Sequence, residues 1–201
     1  ELAASADFVL ASAVPLYTRM KLLNPSTVYM ANAVYEDDYA SALPEAGDLH
    51  NIPRPRLLFV GSVEDWVDLD LVKFLAESRP EWSIVMVGPS SIPANRLPSL
   101  PNIYWLGKRP YEQLSAYMHH CDIGIIPFKQ SRLTRGVNPL KVHEYVACGL
   151  PVVSTFLPDV LLFNDPAVMV AATYESFLKA VEELLRKRVR PRGAQGAHSG
   201  T

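Results

Sequence analysis

Lys141 and Glu144 are the two residues whose types and spacing best fit chemistry in this sequence. They stand three positions apart in a predicted helix, and this spacing places both side chains on one face. That face presents an ammonium that binds phosphate beside a carboxylate that accepts hydrogen bonds from sugar hydroxyls. Lys141 falls in the first turn, where the helix dipole disfavours a cation by roughly 0.3–1 kcal/mol, so we expect an anion nearby. The alternative interpretation is a surface ion pair between the two, worth at most ~0.5 kcal/mol.

The residues that flank this pair mark both ends of the helix. Asn138 is a good N-cap residue, and Pro139 suits the first helical position. Gly149 suits the position just past the helix end, and Pro151 blocks continuation. The pattern therefore predicts a helix over residues 139–148.

A loop rich in cations precedes this helix. Lys129, Arg132 and Arg135 lie in a stretch, residues 123–143, that contains no acidic residue. If the loop leaves a strand of a parallel sheet, these cations gather at the carboxyl edge of the sheet, beside the free amides of the helix start. A polyphosphate would be bound there, and Arg135 and Asn138 are candidate residues for it. A merely solvated loop is the alternative.

From residue 56 onward, short apolar runs alternate with segments of helical periodicity, as in a doubly wound α/β domain. The runs are mostly continuous, which is typical of parallel strands covered on both faces. One helical segment follows Thr173, a candidate cap. The sequence therefore predicts a Rossmann-like parallel sheet of about six strands. The predicted strands are Leu57–Val60, Ile84–Val87, Ile103–Leu106, Ile123–Ile126, Pro151–Val153 and Val168–Ala171.

Three of the predicted strands end in glycine, at Gly61, Gly88 and Gly107. Ligands of such sheets bind beyond the carboxyl ends of the strands, where glycine lets the backbone approach a ligand closely. Each glycine by itself indicates no more than a turn.

The composition excludes several classes of protein. The chain has 201 residues, of which 49% are hydrophobic and 20% charged, so it is globular rather than disordered. No apolar run reaches the ~18 residues that span a bilayer, and the start of the chain lacks the features of a secretory signal. Cys121 and Cys148 are too few for a disulfide scaffold or a zinc site, so a cytoplasmic location is expected. Asp68 and Asp70 would point about 200° apart on a helix, and we predict no metal and no cofactor.

Basic residues are concentrated near the carboxyl terminus. The net charge is −2, but removal of the five cations in residues 186–192 leaves 14 cations against 21 acidic residues. A body this acidic is a poor binder of nucleic acid. We expect residues 186–201 to form a flexible basic tail that begins at a solvated helix end. The alternative is peripheral contact with an anionic membrane surface, which would place the protein at the inner face of the membrane.

Residues 1–53 follow a different pattern. Asp7–Ser12 and Thr27–Asn32 predict strands, and a helical segment, Leu16–Leu23, lies between them. Two strands make no core by themselves, so the region either packs on the main sheet or ends a preceding domain. We favour the second interpretation. Because the chain begins at Glu1 rather than Met, we treat it as a piece of a longer protein.

Three parts of the sequence resemble the carboxyl-terminal domain of group 1 glycosyltransferases of the GT-B fold. They are Glu144–Ser154, the strand Asp122–Pro127 and the glycine at position 61. Trp82–Gly88 is similar to bacterial members that build surface polysaccharides. The resemblance covers most of residues 54–185 and implies a domain that binds a nucleotide sugar. It also implies that residues 1–53 end a truncated acceptor domain and include the interdomain linker.

The resemblance implies a role for each matching residue. Glu144 would accept hydrogen bonds from the ribose hydroxyls of a UDP- or GDP-sugar, and Lys141 would face its diphosphate; these are the candidate catalytic residues. The backbone of Lys108 and Arg109 would border the base. The turn formed by Gly61 and Ser62 would face the phosphates or the donor sugar.

Two positions depart from the family pattern. The family often has a second glutamate, eight residues before the first, that touches the donor sugar; that position holds Gly136. The arginine and lysine common after the first strand are also missing from Ser62–Asp65. Donor recognition must therefore differ or be lost, and the loop cations or Lys141 would have to neutralise the leaving diphosphate.

The principal hypothesis is the nucleotide-sugar-binding half of a GT-B glycosyltransferase, with retention as in the family. The acceptor would be a glycan, a lipid-linked molecule or a small molecule, and the missing amino-terminal domain would complete the cleft. The isolated chain would then bind nucleotide and transfer little or no sugar. The alternatives are a non-catalytic GT-B module used for protein contacts and a GT-B sugar-nucleotide epimerase.

Overall fold

The computed structural model describes residues 2–35 and 37–187 and confirms an α/β domain built on a parallel sheet. The helices and strands lie close to their predicted positions. In chain order they are α1 (Leu2–Ser5), β1 (Val9–Ala11), α2 (Val14–Lys21), β2 (Thr27–Tyr29), α3 (Asp37–Ala40), β3 (Arg56–Val60), α4 (Leu69–Ser78), β4 (Ser83–Val87), β5 (Ile103–Gly107), α5 (Leu114–His120), β6 (Ile123–Ile126), α6 (Leu140–Ala147), β7 (Val152–Thr155), β8 (Val168–Ala171) and α7 (Tyr174–Lys187).

The main sheet has six strands in the order β5-β4-β3-β6-β7-β8, and every neighbouring pair is parallel. From the central strand β3 the chain adds β4 and then β5 on one side. It returns to the centre with β6 and adds β7 and β8 on the other side. The order therefore reverses between β3 and β6, where Leu57 pairs with Ile123. Open parallel sheets bind their ligands at such a reversal, beyond the carboxyl ends of the strands.

Helices cover both faces of this sheet. On one face α4 and α7 bury Leu71, Leu75 and Phe177 against it, and on the other α5 and α6 bury Tyr117 and Tyr145. β3 and β4 are buried along their whole length, which explains why their sequences are continuous apolar runs.

Local hydrogen bonds fix the starts of two helices. The Leu71 amide donates to Asp68 Oδ1 at 3.0 Å, so Asp68 caps α4. The Ser176 amide donates to Thr173 Oγ1 at 3.1 Å, which confirms the predicted cap of α7. Both side chains satisfy amides that a helix start leaves without an intrahelical partner.

The amino-terminal unit (residues 2–30) has a sheet of its own. Its strands β1 and β2 are parallel and joined by α2, which confirms the predicted strand, helix and strand. The Asp159 carboxylate, in the loop after β7, accepts hydrogen bonds from the Val14 amide at 3.0 and 3.2 Å and from the Tyr29 hydroxyl at 3.2 Å. These contacts attach the start of α2 to the main domain.

The linker (residues 34–53) runs from this unit to β3 and is held by Arg56. This guanidinium is 5% exposed, donates to Leu49 O at 2.7 Å and to Ile52 O at 2.8 Å, and forms an ion pair with Glu45. The end of the linker is therefore fixed to the first strand of the main sheet.

The predicted basic tail falls mostly on residues 188–201, which lie outside the described residues. Arg186 and Lys187 are the last residues of α7. Within the described ranges, none of the helices combines the length and the apolar character needed to cross a bilayer.

Candidate functional site

The glycines that end β3, β4 and β5 lie side by side at the carboxyl edge of the sheet. The Gly61 amide donates to Val87 O, and the Gly88 amide donates to Gly107 O, both at 2.9 Å. A Cβ at position 88 would lie 2.0 Å from Gly61 O, so the two backbones touch where a side chain would intervene. The edge beside Gly61 is therefore lined by backbone.

α6 is fixed at the point where the strand order reverses. The Tyr145 hydroxyl accepts a hydrogen bond from the Val60 amide at 2.8 Å, at the end of β3. Its ring packs so closely on β6 that a Cβ at Gly124 would lie 2.5 Å from it. The Leu150 amide donates to Tyr145 O and the Gly149 amide to Val146 O, a Schellman arrangement that ends the helix as predicted.

The predicted cap at Asn138 is wrong by one position. The N-cap residue of α6 is Pro139. Asn138 Oδ1 pairs instead with His143 Nε2 at 3.1 Å, and Asn138 O accepts from Asn32 Nδ2 at 2.7 Å. The side chain and the carbonyl of Asn138 are therefore hydrogen-bonded to His143 and Asn32. The Asn138 side chain does not cap the helix, which begins at Leu140.

Lys141 and Glu144 lie on one face of α6, as predicted, and form an ion pair between Nζ and Oε2. The pair is not the surface pair of the alternative interpretation, because the Glu144 side chain is 0% exposed and that of Lys141 is 25% exposed. Among the described residues, Glu144 Oε1 has no hydrogen-bond partner. Burial of a carboxylate oxygen without a partner is costly, so this oxygen is suited to accept a hydrogen bond from a ligand.

Two tyrosines cover this pair. The Lys141 ammonium lies 5.8 Å from the ring centre of Tyr111, which is 60% exposed. The Tyr111 and Tyr39 hydroxyl oxygens are 2.5 Å apart, and Tyr39, from the linker, is 5% exposed. Burial, the hydrogen bond to Tyr111 and the charge of Glu144 raise the pKa of Tyr39, so its phenol stays protonated near neutral pH.

The two basic residues after β5 differ in what they contact. Arg109 forms an ion pair with Asp48 of the linker at 2.7 Å, and its Nε donates to Tyr117 Oη at 3.1 Å. The hydrogen bond to Asp48 raises the pKa of Arg109. The Lys108 side chain is exposed. The Arg109 side chain therefore joins the linker to α5.

A cavity of about 540 Å³ lies between the linker and α5, with Asp48, Arg109 and Tyr117 among its lining residues. Tyr39 and Asp48 are site residues that the sequence reasoning missed. Both stand in a stretch without periodicity, which gave no signal for a site.

The loop cations lie where they were predicted, after β6, and are exposed at Lys129, Arg132 and Arg135. Thr134, 1% exposed, shapes this loop, because its Oγ1 donates to Lys129 O at 2.5 Å. A Cβ at Gly136 would lie 3.5 Å from Leu16 of α2. The position of the family's second glutamate thus faces the amino-terminal unit.

Gly61 is half-buried and Ser62 is exposed at the end of β3. Within residues 2–35 and 37–187, no group of three or more His, Cys, Asp or Glu side chains could hold a metal ion. The described residues place ammonium and guanidinium groups, one buried carboxylate and backbone amides at this edge.

A family model described as glycosyl transferases group 1 matches residues 54–187. The match covers the whole six-stranded sheet with its helices. This chain belongs to the group 1 glycosyltransferases. The matched residues begin at the end of the linker and include every strand of the main sheet.

One relative of this chain is TuaH of Bacillus subtilis (strain 168), whose name assigns it to teichuronic acid biosynthesis as a glycosyltransferase. It is 36% identical over 114 residues, which are 55% of this chain and 29% of TuaH. The chain thus spans less than a third of the length of that relative.

Solved structures share the fold at low identity. Anabaena Alr3699/HepE, solved in complex with UDP and glucose, matches with a TM-score of 0.68 at 14% identity over 96% of this chain and 58% of its own. The E. coli structure described as trehalose-6-phosphate bound with UDP-2-fluoro glucose matches with a TM-score of 0.66 at 14% identity over 90% and 53%. These likenesses confirm a GT-B half with a six-stranded parallel sheet.

Proposed function

We propose that this chain is the nucleotide-sugar-binding half of a glycosyltransferase and that the donor binds at the start of α6. The observation that carries the proposal is the Lys141–Glu144 pair, which stands at the reversal of strand order with one buried carboxylate oxygen without a partner among the described residues. The two similar structures named above contain UDP or a UDP-sugar analogue, which makes UDP the first ligand to test.

Each group at the edge has a task in this proposal. Glu144 accepts hydrogen bonds from the ribose hydroxyls, and the Lys141 ammonium faces the diphosphate. The backbone next to Arg109 borders the base, and the turn at Gly61 and Ser62 approaches the phosphates or the sugar. Since the site has few fixed cations, the exposed Arg135 and its loop neighbours add positive charge when the donor is bound.

Transfer breaks the bond between the sugar and the diphosphate, and negative charge develops on the leaving diphosphate. Cations placed beside the leaving oxygen stabilise that charge in the transition state. Lys141, near the start of α6, supplies one such cation. The acceptor hydroxyl, and retention at the anomeric carbon, depend on the other half of the cleft.

The amino-terminal unit supports a two-half enzyme. Leu10 and Val28 pair across β1 and β2 and are 52% and 51% exposed, so an apolar face of this small parallel sheet is open. Parallel strands are normally covered on both faces. We propose that further elements of the acceptor domain cover this face and that the acceptor, a glycan or a lipid-linked molecule, binds across the cleft.

A non-catalytic module for protein contacts is the second candidate function, and two observations favour it. Glu144 is fully enclosed in this conformation, and Gly136 supplies no carboxylate for the donor sugar. A chain with this function would bind no nucleotide under any condition.

Calorimetric titration with UDP and GDP tests the proposal. The double variant Lys141→Met with Glu144→Gln removes both charges at nearly constant volume, so neither partner is left as an unpaired buried charge. We expect it to bind UDP or GDP at least ten-fold more weakly than the parent chain.

The matched control neutralises a second ion pair in the same way. Lys73 and Glu77 of α4 are both 54% exposed and lie on the opposite face of the sheet, so Lys73→Met with Glu77→Gln should keep full affinity. Equal affinity in all three proteins would overturn the site assignment. Absence of binding to either nucleotide by the parent chain and by its variants would favour the non-catalytic module.

A further inference from the structure

A short part of the linker, residues 37–43, covers the Lys141–Glu144 pair; we call it the strap. Most of its described side chains point to solvent, including those of Asp37, Asp38 and Leu43. Tyr39 is the buried one, at 5% exposure. Among the described side chains of the strap, that of Tyr39 is therefore the one enclosed by the rest of the protein.

Two hydrogen bonds join the backbone of the strap, as far as it is described, to side chains of α5. His119 Nε2 pairs with Tyr39 O at 2.9 Å, and His120 Nε2 pairs with Leu43 O at 2.8 Å. From Glu45 onward the linker is fixed by Arg56. Segments with few buried apolar contacts open at low free-energy cost, so the strap can lift while the rest of the linker stays in place.

When the strap lies over the site, Glu144 is shielded from solvent, but one oxygen of its carboxylate receives no hydrogen bond from the described residues. The Tyr39 hydroxyl interacts with that of Tyr111, and the Glu144 carboxylate beneath it is wholly enclosed. Glu144 Oε1 nevertheless finds no hydrogen-bond donor in the described part of the chain. The Tyr39 hydroxyl interacts with the Glu144 carboxylate and lies beside the Tyr111 hydroxyl, so a ligand hydroxyl that binds this carboxylate would take the place of Tyr39.

We propose that the strap is an autoinhibitory cover, in which Tyr39 holds the place above Glu144 that a ribose hydroxyl takes when a nucleotide binds. The inference rests on the proposed function, because it concerns access to the same carboxylate. A nucleotide binds only after Tyr39 is displaced, so the observed affinity is reduced by the fraction of molecules in which the strap is closed.

Association kinetics of UDP with the full 201-residue chain test this cover. Tyr39→Phe keeps the ring and removes the hydroxyl that contacts Tyr111, so the closed state loses one hydrogen bond. We expect UDP to associate about five-fold faster and to bind about five-fold more tightly. Tyr111→Phe removes the same bond from its exposed partner and should have the same effect, which preserves the test if the first variant fails to fold.

The matched control is Tyr29→Phe. Tyr29 also carries a hydroxyl that contacts a carboxylate, that of Asp159, but it lies in the amino-terminal unit. Its variant should bind UDP at the parent rate. Slower or weaker binding by Tyr39→Phe would identify Tyr39 as a support for Glu144 and overturn the cover.

Hydrogen exchange gives an independent test, because ligand binding should make the amides of the strap exchange faster rather than slower. Saturation with UDP should accelerate exchange of the amides in residues 39–43 and slow exchange in the first turn of α6. Slower exchange in both segments would show that the strap closes onto the ligand, which contradicts the inference. If neither parent nor variants bind UDP or GDP, the proposed function itself fails; binding with unchanged kinetics in Tyr39→Phe removes the cover alone.

Discussion

The units β1–α2–β2 and β3–α4–β4 have the same local form, because in each a helix joins two neighbouring parallel strands. Every residue of β3 and β4 is buried, and α4 buries Leu71, Val72, Leu75 and Ala76. In the amino-terminal unit, Leu10 and Val28 are about half exposed, and each residue of α2 retains some exposure.

Neighbours, rather than local pattern, produce this difference. β3 lies between β4 and β6, and helices cover both faces of the sheet that they form. β1 and β2 pair only with one another within the described residues. A strand–helix–strand unit therefore contributes a stable core only when other strands and helices cover it, because the hydrophobic effect depends on area removed from water.

The largest effect is expected from truncation of the same residue type in the two units. Leu57→Ala in β3, where the side chain is 0% exposed, should lower the free energy of unfolding by about 2–5 kcal/mol. Leu10→Ala in β1 should change it by no more than about 0.5 kcal/mol. Urea unfolding followed by circular dichroism measures both, and equal losses would show that the amino-terminal unit is packed as tightly as the main domain.

High pH should weaken the main domain through its two thiols. Burial raises the pKa of Cys121 to about 12 and that of Cys148 to about 12. In the unfolded chain a thiol loses its proton near pH 8.5, so the folded state holds more protons above that pH. The stabilising contribution of the two thiols is therefore fully present below about pH 8.5. The free energy of unfolding falls as pH rises toward 12, by up to ~1.4 kcal/mol per pH unit for each thiol.

Urea midpoints at pH 8 and pH 10 check this dependence. The variant Cys121→Ala should show a smaller decrease between the two pH values than the parent chain, even though its stability at pH 8 is lower. An unchanged decrease would contradict the assignment of the effect to the thiol.

The smallest effect is expected where the two units meet. Asp159→Asn keeps the shape of the side chain and one acceptor oxygen for the Val14 amide but removes the charge at the start of α2. The opening free energy of β1 and β2 should fall by about 1 kcal/mol, while that of β3 stays constant. Hydrogen exchange resolves the two units. The exposed Asp65→Asn serves as control, and an equal fall in β3 would mean that both units open together.

Local sequence signals determined the elements of this protein. The six strands were predictable because continuous apolar runs of that length require burial on both faces, and each predicted run overlaps an observed strand. Thr173 and Gly149 marked helix ends through hydrogen bonds that span only a few residues. The same local logic placed Lys141 and Glu144 on one face of α6, because side-chain spacing on a helix is fixed.

Only the tertiary structure decided what surrounds those residues. Asn138 is not the cap of α6, because its polar atoms bond other residues. Its carbonyl accepts from Asn32, which is distant in sequence, and its side-chain oxygen pairs with His143 within α6. The enclosure of Glu144 depends on Tyr39, which is far away in sequence and belongs to a stretch without periodicity. Periodicity reports which face of an element is buried but carries no information on which distant segment covers it, and here a segment about a hundred residues away lies over Glu144.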